Sequence, residues 1–355
     1  MNQQIYVDRI ERLISRLRSS SVEAVLLSSP ANLFYFTGFK HGVLVVSGDG
    51  VVSIFSNLPV NTPLAGRISI VEKLGRRDLI SMALGYIGDR RMTVGYDHMT
   101  VDNYQSIIKS YPSLSLASVR DIIYEQRQSK TEKEVELMKK ASSVVCTAVD
   151  VVREMITDGT TPSDIRRAIA DTVYRSGADL SSNPHVSIGE DTFLRVDSPP
   201  NRGIRQNELI NITASASVDG YVSSVSRTFF LGERIPEKIS KNYQQLLKLK
   251  EYIKSLIGVW SSAVSIYDRC RAYALEIGLE PTTLTLFGKG VGIEEEEPPF
   301  IQPGSADIIR DGSVISVGPD LILPGRYGLS VSDIYHVTAQ GVIQLTDAET
   351  DLEIG

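Results

Sequence analysis

The chain of 355 residues is poor in the residues that build the commoner chemical centres: it has two cysteines, four histidines and one tryptophan. Cys146 and Cys270 stand far apart with no C-x-x-C partner. That excludes a disulfide framework and a zinc knuckle, and makes a reducing compartment the default expectation. A surplus of positive charge is also lacking, since 37 lysines and arginines face 43 aspartates and glutamates, a net charge of 37 − 43 = −6. A protein that grips phosphate backbones needs clustered surplus cations, so nucleic acid is not an expected partner. The balance fits a cytoplasmic chain kept soluble by modest negative charge, which would favour a basic partner. No window approaches about 18 consecutive apolar residues, so no membrane-spanning helix is expected. Near the N-terminus Ile10, Leu13, Ile14 and Leu17 form one helical stripe interleaved with charges. This reads as a surface helix and not as a signal peptide.

What is present is ordinary globular composition, with 42% apolar and 23% charged residues, over a length that suggests roughly two domains. An apolar run at Ala24–Leu27 precedes SPANLFYFTGFKHGVLVVSGDGVVSIFS, read as a strand, a loop and a hairpin turning at 47–50. Strands near 69–71 and 92–94 alternate with helices at 78–87 and 102–111, so residues 1–120 are expected to form an α/β domain. A linker over 121–130 leads to Thr131-x-x-Glu134, a capping-box signature that opens a long amphipathic helix ending at Gly159. A second helix starts at Thr161-Pro162 and closes near Gly177. Residues 131–355 then run helix pair, strands, helix pair, strands, an internal duplication of element order within an α+β domain.

Six segments stand out in order: SPANLFYFTGF, QRQSKTEKEVELMKKAS, Leu209–Phe229 with Asp-Gly-Tyr at 219–221 and Ser-Arg-Thr at 226–228, Gly288-Lys289-Gly290-Val291-Gly292, Gly318-Pro319-Asp320 and Ser330-Val331-Ser332-Asp333. Together they resemble the Xaa-Pro dipeptidase, aminopeptidase P and creatinase family of M24-type metallopeptidases, over nearly the whole chain. The resemblance implies a creatinase-type α/β N-terminal domain and a pita-bread α+β domain with internal pseudo-twofold duplication. It also implies a homodimer. Active members hold two divalent metals through two Asp, one His and two Glu, and the metal-activated water attacks the peptide carbonyl.

Carried over residue by residue, the resemblance places these ligands on Thr213, Ser224, Lys289, Gly318 and Ser332. Two substrate-binding histidines fall on Val196 and Glu296, and an arginine that clamps a substrate carboxylate falls on Ser330. In the family centre four carboxylates offset two divalent cations. Here Lys289 and Glu296 are the only new charges, which again sum to zero, and a contact between them is expected inside the pocket. No metal cofactor and no catalytic residue are expected. A protonated lysine cannot ligate metal, and buried carboxylates without their cations would be costly.

Other residues offer little to rebuild a site. Asp219, Glu297, Asp320 and Asp333 are near the motifs, and the run 294–297 reads as a solvated loop face. His98 reads as part of a strand-to-helix turn and His336 as a core imidazole, while His41 and His185 remain possible pocket groups. Creatinase, which works without metal, relies on a pocket histidine whose position here is Val196; His185, eleven residues earlier, is not expected to substitute. The glycines around Lys289 lack Walker spacing and read as close strand packing. Cys146 reads as a small core residue. The leading expectation is a family member without metal or peptidase activity whose cleft binds a peptide or small polar ligand. An active Xaa-Pro dipeptidase or creatinase-type hydrolase with relocated groups is the alternative, and a protein-interaction module is the third.

Overall fold

A computed structural model of the chain describes residues 3–73, 78–194, 196–279 and 286–354. Two compact units divide it, Met1–Arg127 and Gln128–Gly355. The first unit runs α1 (Gln3–Arg18), β1 (Ala24–Leu27), α2 (Pro30–Thr37), β2 (Val43–Ser47), β3 (Val52–Ser56), β4 (Ser69–Glu72), α3 (Leu79–Ile87), β5 (Met92–Tyr96), α4 (Val101–Ser110), β6 (Leu114–Ser118) and α5 (Arg120–Gln128). Its six strands form one mixed sheet in the order β4-β3-β2-β1-β5-β6.

Two stretches expected to be irregular are helical. After β1 the segment read as a loop forms α2, with Pro30 in its first turn, where a missing N–H does no harm, and Gly38 at φ 71° closing it. Leu33, Tyr35 and Phe36 are buried there, so tertiary burial stabilises a helix too short to stand alone. The segment read as a linker is largely α5, whose Gln126 and Arg127 are buried.

The second unit opens with α6 (Glu132–Met155) and α7 (Pro162–Arg175), each begun by a complete capping box, Thr131 with Glu134 and Thr161 with Asp164. There follow β7 (Asp179–Leu180), β8 (His185–Ile188), α8 (Asp191–Leu194), β9 (Glu208–Val218) and β10 (Tyr221–Leu231). A second helix pair, α9 (Glu237–Leu256) and α10 (Ala263–Glu276), precedes β11 (Gly288–Gly290), β12 (Glu297–Ile301), β13 (Val314–Val317), β14 (Asp320–Leu323), β15 (Tyr327–Ser330), β16 (Asp333–Thr338), β17 (Gly341–Gln344) and β18 (Glu353–Ile354). One sheet is ordered β18-β10-β9-β7 with β8 also on β9, a second β12-β11-β13-β16-β17, and β14 pairs with β15 alone.

The Asp-Gly-Tyr motif has a local cause. Asp219 and Gly220 take φ 48° and 81°, the left-handed pair that an Asp-Gly turn supplies, and they fix the register that sets Val218 opposite Tyr221. Register then decides the faces. Ile210, Ile212 and Ala214 of β9 pack with Val225 and Phe229 of β10 into the core containing Val145, Val149 and Ile165 of the first helix pair. The alternate residues, Asn211, Thr213 and Ser215 opposite Thr228, Ser226 and Ser224, share the other face, and every one is polar. The second sheet buries Phe287, Ile315, Val317 and Tyr335 against Leu246, Leu249 and Cys270 of the second helix pair.

Candidate functional site

The polar face of β9 and β10 opens onto a cavity of about 160 Å³. Thr213, Ser224, Lys289, Glu296, Gly318, Ser330 and Ser332 all line it, so seven of the eight residues singled out from sequence come together. Val196 does not join them. It lies beyond α8 with its side chain 47% exposed, turned to solvent. Ser226, Ser316 and Glu295 line the cavity without being among the expected residues. Strand alternation was the available signal for the two serines: Ser226 pairs with Thr213, and Ser316 with Lys289.

Hydroxyls dominate the geometry. Thr213 Oγ1 lies 2.9 Å from Ser226 Oγ. The Ser226 N–H donates to Ser332 Oγ at 2.9 Å, and the Ser332 N–H donates to Ser226 O at 3.0 Å, a bridge that joins the two sheets at the cavity. Ser330 Oγ donates to Asp320 Oδ1 at 2.6 Å, and Ser215 Oγ to Glu295 Oε1 at 2.8 Å. The expected Lys289–Glu296 contact is present, with Nζ 2.5 Å from Oε1. Glu296 is 63% exposed there, so the pair sits at the rim, where ion pairs contribute at most about 1 kcal/mol.

Two expectations about charge need correction. The zero sum of Lys289 and Glu296 left out Glu295 and Asp320, which line the same cavity. The run 294–297 is not a solvated face either: Glu297 is 1% exposed and meets Lys130 Nζ at 2.6 Å, while Glu295 turns inward to Ser215. A buried carboxylate needs such a partner. Asp333 is likewise engaged, accepting from Arg227 Nη2 at 2.7 Å, Lys250 Nζ at 2.5 Å and Thr346 Oγ1 at 2.9 Å. Arg227 also donates to the carbonyls of Ser226, Ser332, Ala348 and Glu349, so this cluster fixes the backbone behind the two bridged serines.

Glycines mark close approaches. A Cβ on Gly318 would fall 2.3 Å from Ser332 Cβ and 2.9 Å from its Cα, so Ser332 and the Val331 carbonyl occupy the space a side chain would need. Beside Lys289, a Cβ on Gly290 would meet Pro298 O at 2.4 Å, which is strand packing and no phosphate cradle.

Two divalent cations require hard, anionic oxygen donors. At the five positions corresponding to the family ligands, this cavity offers two hydroxyls already hydrogen-bonded or strand-buried, an ammonium, no side chain, and a hydroxyl bound to a backbone amide. These residues do not fit a dinuclear centre. Among the described residues, no three His, Cys, Asp or Glu side chains form a group that could hold a metal ion. Asp219 is on the exposed hairpin turn and Asp333 is enclosed by its cations. Nor is a thiolate on offer, because burial pushes the Cys146 thiol up to about 11 and that of Cys270 to about 12. His336 is half-buried on β16, and burial with nearby Lys139 lowers its pKa. His185 lines a small adjoining cavity that shares Thr213, Asp320 and Ser330 with the larger one.

Residues 136–339 match the model of metallopeptidase family M24, and residues 9–129 match that of the Creatinase/Prolidase N-terminal domain. The first match spans more than half of the chain, which therefore belongs to metallopeptidase family M24, with the pita-bread fold behind a creatinase-type N-terminal domain. An Xaa-Pro dipeptidase of Pyrococcus furiosus is 23% identical over 351 residues, covering 97% of this chain and 99% of the relative. The prolidase of Thermococcus sibiricus has the same fold, with a TM-score of 0.87 at 22% identity over 98% of both chains. So has the N-terminal domain of the FACT complex subunit SPT16 from chickpea, with a TM-score of 0.80 at 14% identity over 100% of both. No described helix is long and apolar enough to cross a membrane.

Proposed function

We propose that this chain is an M24-family protein without the dinuclear metal centre and without Xaa-Pro peptidase activity, whose central cavity binds a small polar ligand. The observation that carries the reading is the donor set at that cavity. Where a bridging pair of divalent cations would need carboxylates, hydroxyls and a glycine stand, and the Lys289 ammonium lines the same cavity at its rim. An ammonium beside two divalent ions adds repulsion where the chemistry requires attraction, and that repulsion grows as water is excluded. The cavity is nonetheless kept open, with hydroxyls and carboxylates at its wall that suit a ligand carrying several hydrogen-bonding groups.

An assay with Xaa-Pro dipeptides and added Mn²⁺, Co²⁺ or Zn²⁺ tests the reading. Release of proline no faster than in buffer is expected with every metal. Turnover that saturates with dipeptide and depends on metal would defeat it.

A further inference from the structure

His185 begins β8 directly opposite Thr213, so the two side chains project on the same polar face. Its Nδ1 lies 3.0 Å from Asp197 Oδ1. Asp197 is held there by the backbone: the Val186 N–H donates to the same Oδ1 at 2.9 Å, and the Ser198 N–H donates to Val186 O at 3.0 Å. Arg166, from α7, brings its Nη1 to 3.6 Å of that oxygen. A carboxylate only accepts, so a neutral imidazole facing it at this distance is expected to carry its hydrogen on Nδ1, which leaves Nε2 as an acceptor. The ring lines a cavity of about 40 Å³ with Ser187, Asn211, Thr213, Asp320 and Ser330. Ser187 is 1% exposed, and its Oγ is buried there with no hydrogen-bond partner among the described residues. A buried hydroxyl left unpaired in this way is uncommon and marks a place where a partner is missing.

We propose that His185, oriented by Asp197, is the recognition group of a subsite that takes a carboxamide group of the ligand. The amide N–H donates to Nε2, and the Ser187 hydroxyl donates to the amide carbonyl. The small cavity has room for a terminal group such as a carboxamide beside the imidazole. The rest of the ligand extends past Thr213 and Ser330 into the larger cavity, which shares those residues. Asp197 is a positioning residue, since it acts only through the imidazole. Among the described residues, the charged groups around the ring are Asp197, Arg166 and, across the small cavity, Asp320. The subsite rests on the ligand-binding reading of the larger cavity and is independent of its metal content.

Proton–nitrogen NMR spectra of the full chain labelled at its histidine nitrogens resolve the test, with the His185 signals identified as those lost in His185→Gln. At about pH 8, above the ordinary histidine range, the native ring is expected with its hydrogen on Nδ1, and Asp197→Asn is expected to raise the Nε2–H form. Acetamide is the probe. Its addition should move the His185 Nε2 signal saturably, should leave His41, His98 and His336 unmoved, and should bind roughly tenfold or more weakly to Asp197→Asn. A native ring protonated on Nε2, or an Nε2 signal that acetamide does not move, would overturn the proposal. Neither outcome bears on dipeptide hydrolysis, so failure of the subsite and failure of the metal-free reading are told apart.

Discussion

At Gly318 the departure from a metallopeptidase centre is a matter of space as well as of charge. The resemblance puts a ligand glutamate there, yet even a methyl group would sit 2.3 Å from Ser332 Cβ. Gly318→Ala should therefore cost about 1–3 kcal/mol by overpacking, read from the midpoint of urea unfolding. Adding Ser332→Gly should recover part of that loss, a coupling expected between residues in contact. Equal stability of Gly318→Ala and the native chain would show that the strands part freely at this point. The loss of a ligand was legible in the sequence because glycine has no donor. The closure of the backbone around it was not, because it depends on a register between β13 and β16 that no local pattern specifies. Val196 shows the converse. Its position in a motif frame was readable, whereas its outward turn follows from loop geometry that motif spacing does not contain.

Among the elements, those with strong local signals were legible. The capping box of α6 formed as spelled and α7 opens at Thr161-Pro162, while the Asp-Gly turn sets the β9–β10 register and with it the polar run of Asn211, Thr213 and Ser215 opposite Thr228, Ser226 and Ser224. Helices α2 and α5 were not legible, since burial within the first unit outweighs a short or weakly patterned sequence. The join between β10 and β16 is likewise tertiary, held by the Arg227–Asp333–Lys250 cluster. Its energetics differ in kind from those of the rim pair. Asp333→Ala leaves two buried cations without their carboxylate and should destabilise by about 3–5 kcal/mol. Glu296→Gln, at a 63% exposed position, should change stability by less than about 1 kcal/mol. Calorimetric unfolding of the two variants checks the contrast, and similar melting temperatures would contradict it.

On the scale of the whole molecule, the fold of a metallopeptidase family surrounds a cavity whose polar residues bond to one another. Four linkages hold the cavity wall: Thr213 with Ser226, Ser226 with Ser332, Ser330 with Asp320, and Lys289 with Glu296. Each satisfies a polar group that an incoming cation would have to displace, and Lys289 would oppose that cation directly. The measurement that tests this most directly is elemental analysis of the purified chain after incubation with excess Mn²⁺, Co²⁺ or Zn²⁺ and exhaustive dialysis. The account predicts far less than one equivalent of any of these metals per chain and an unfolding temperature unchanged by their addition. Retention of two equivalents, with a matching rise in unfolding temperature, would contradict it.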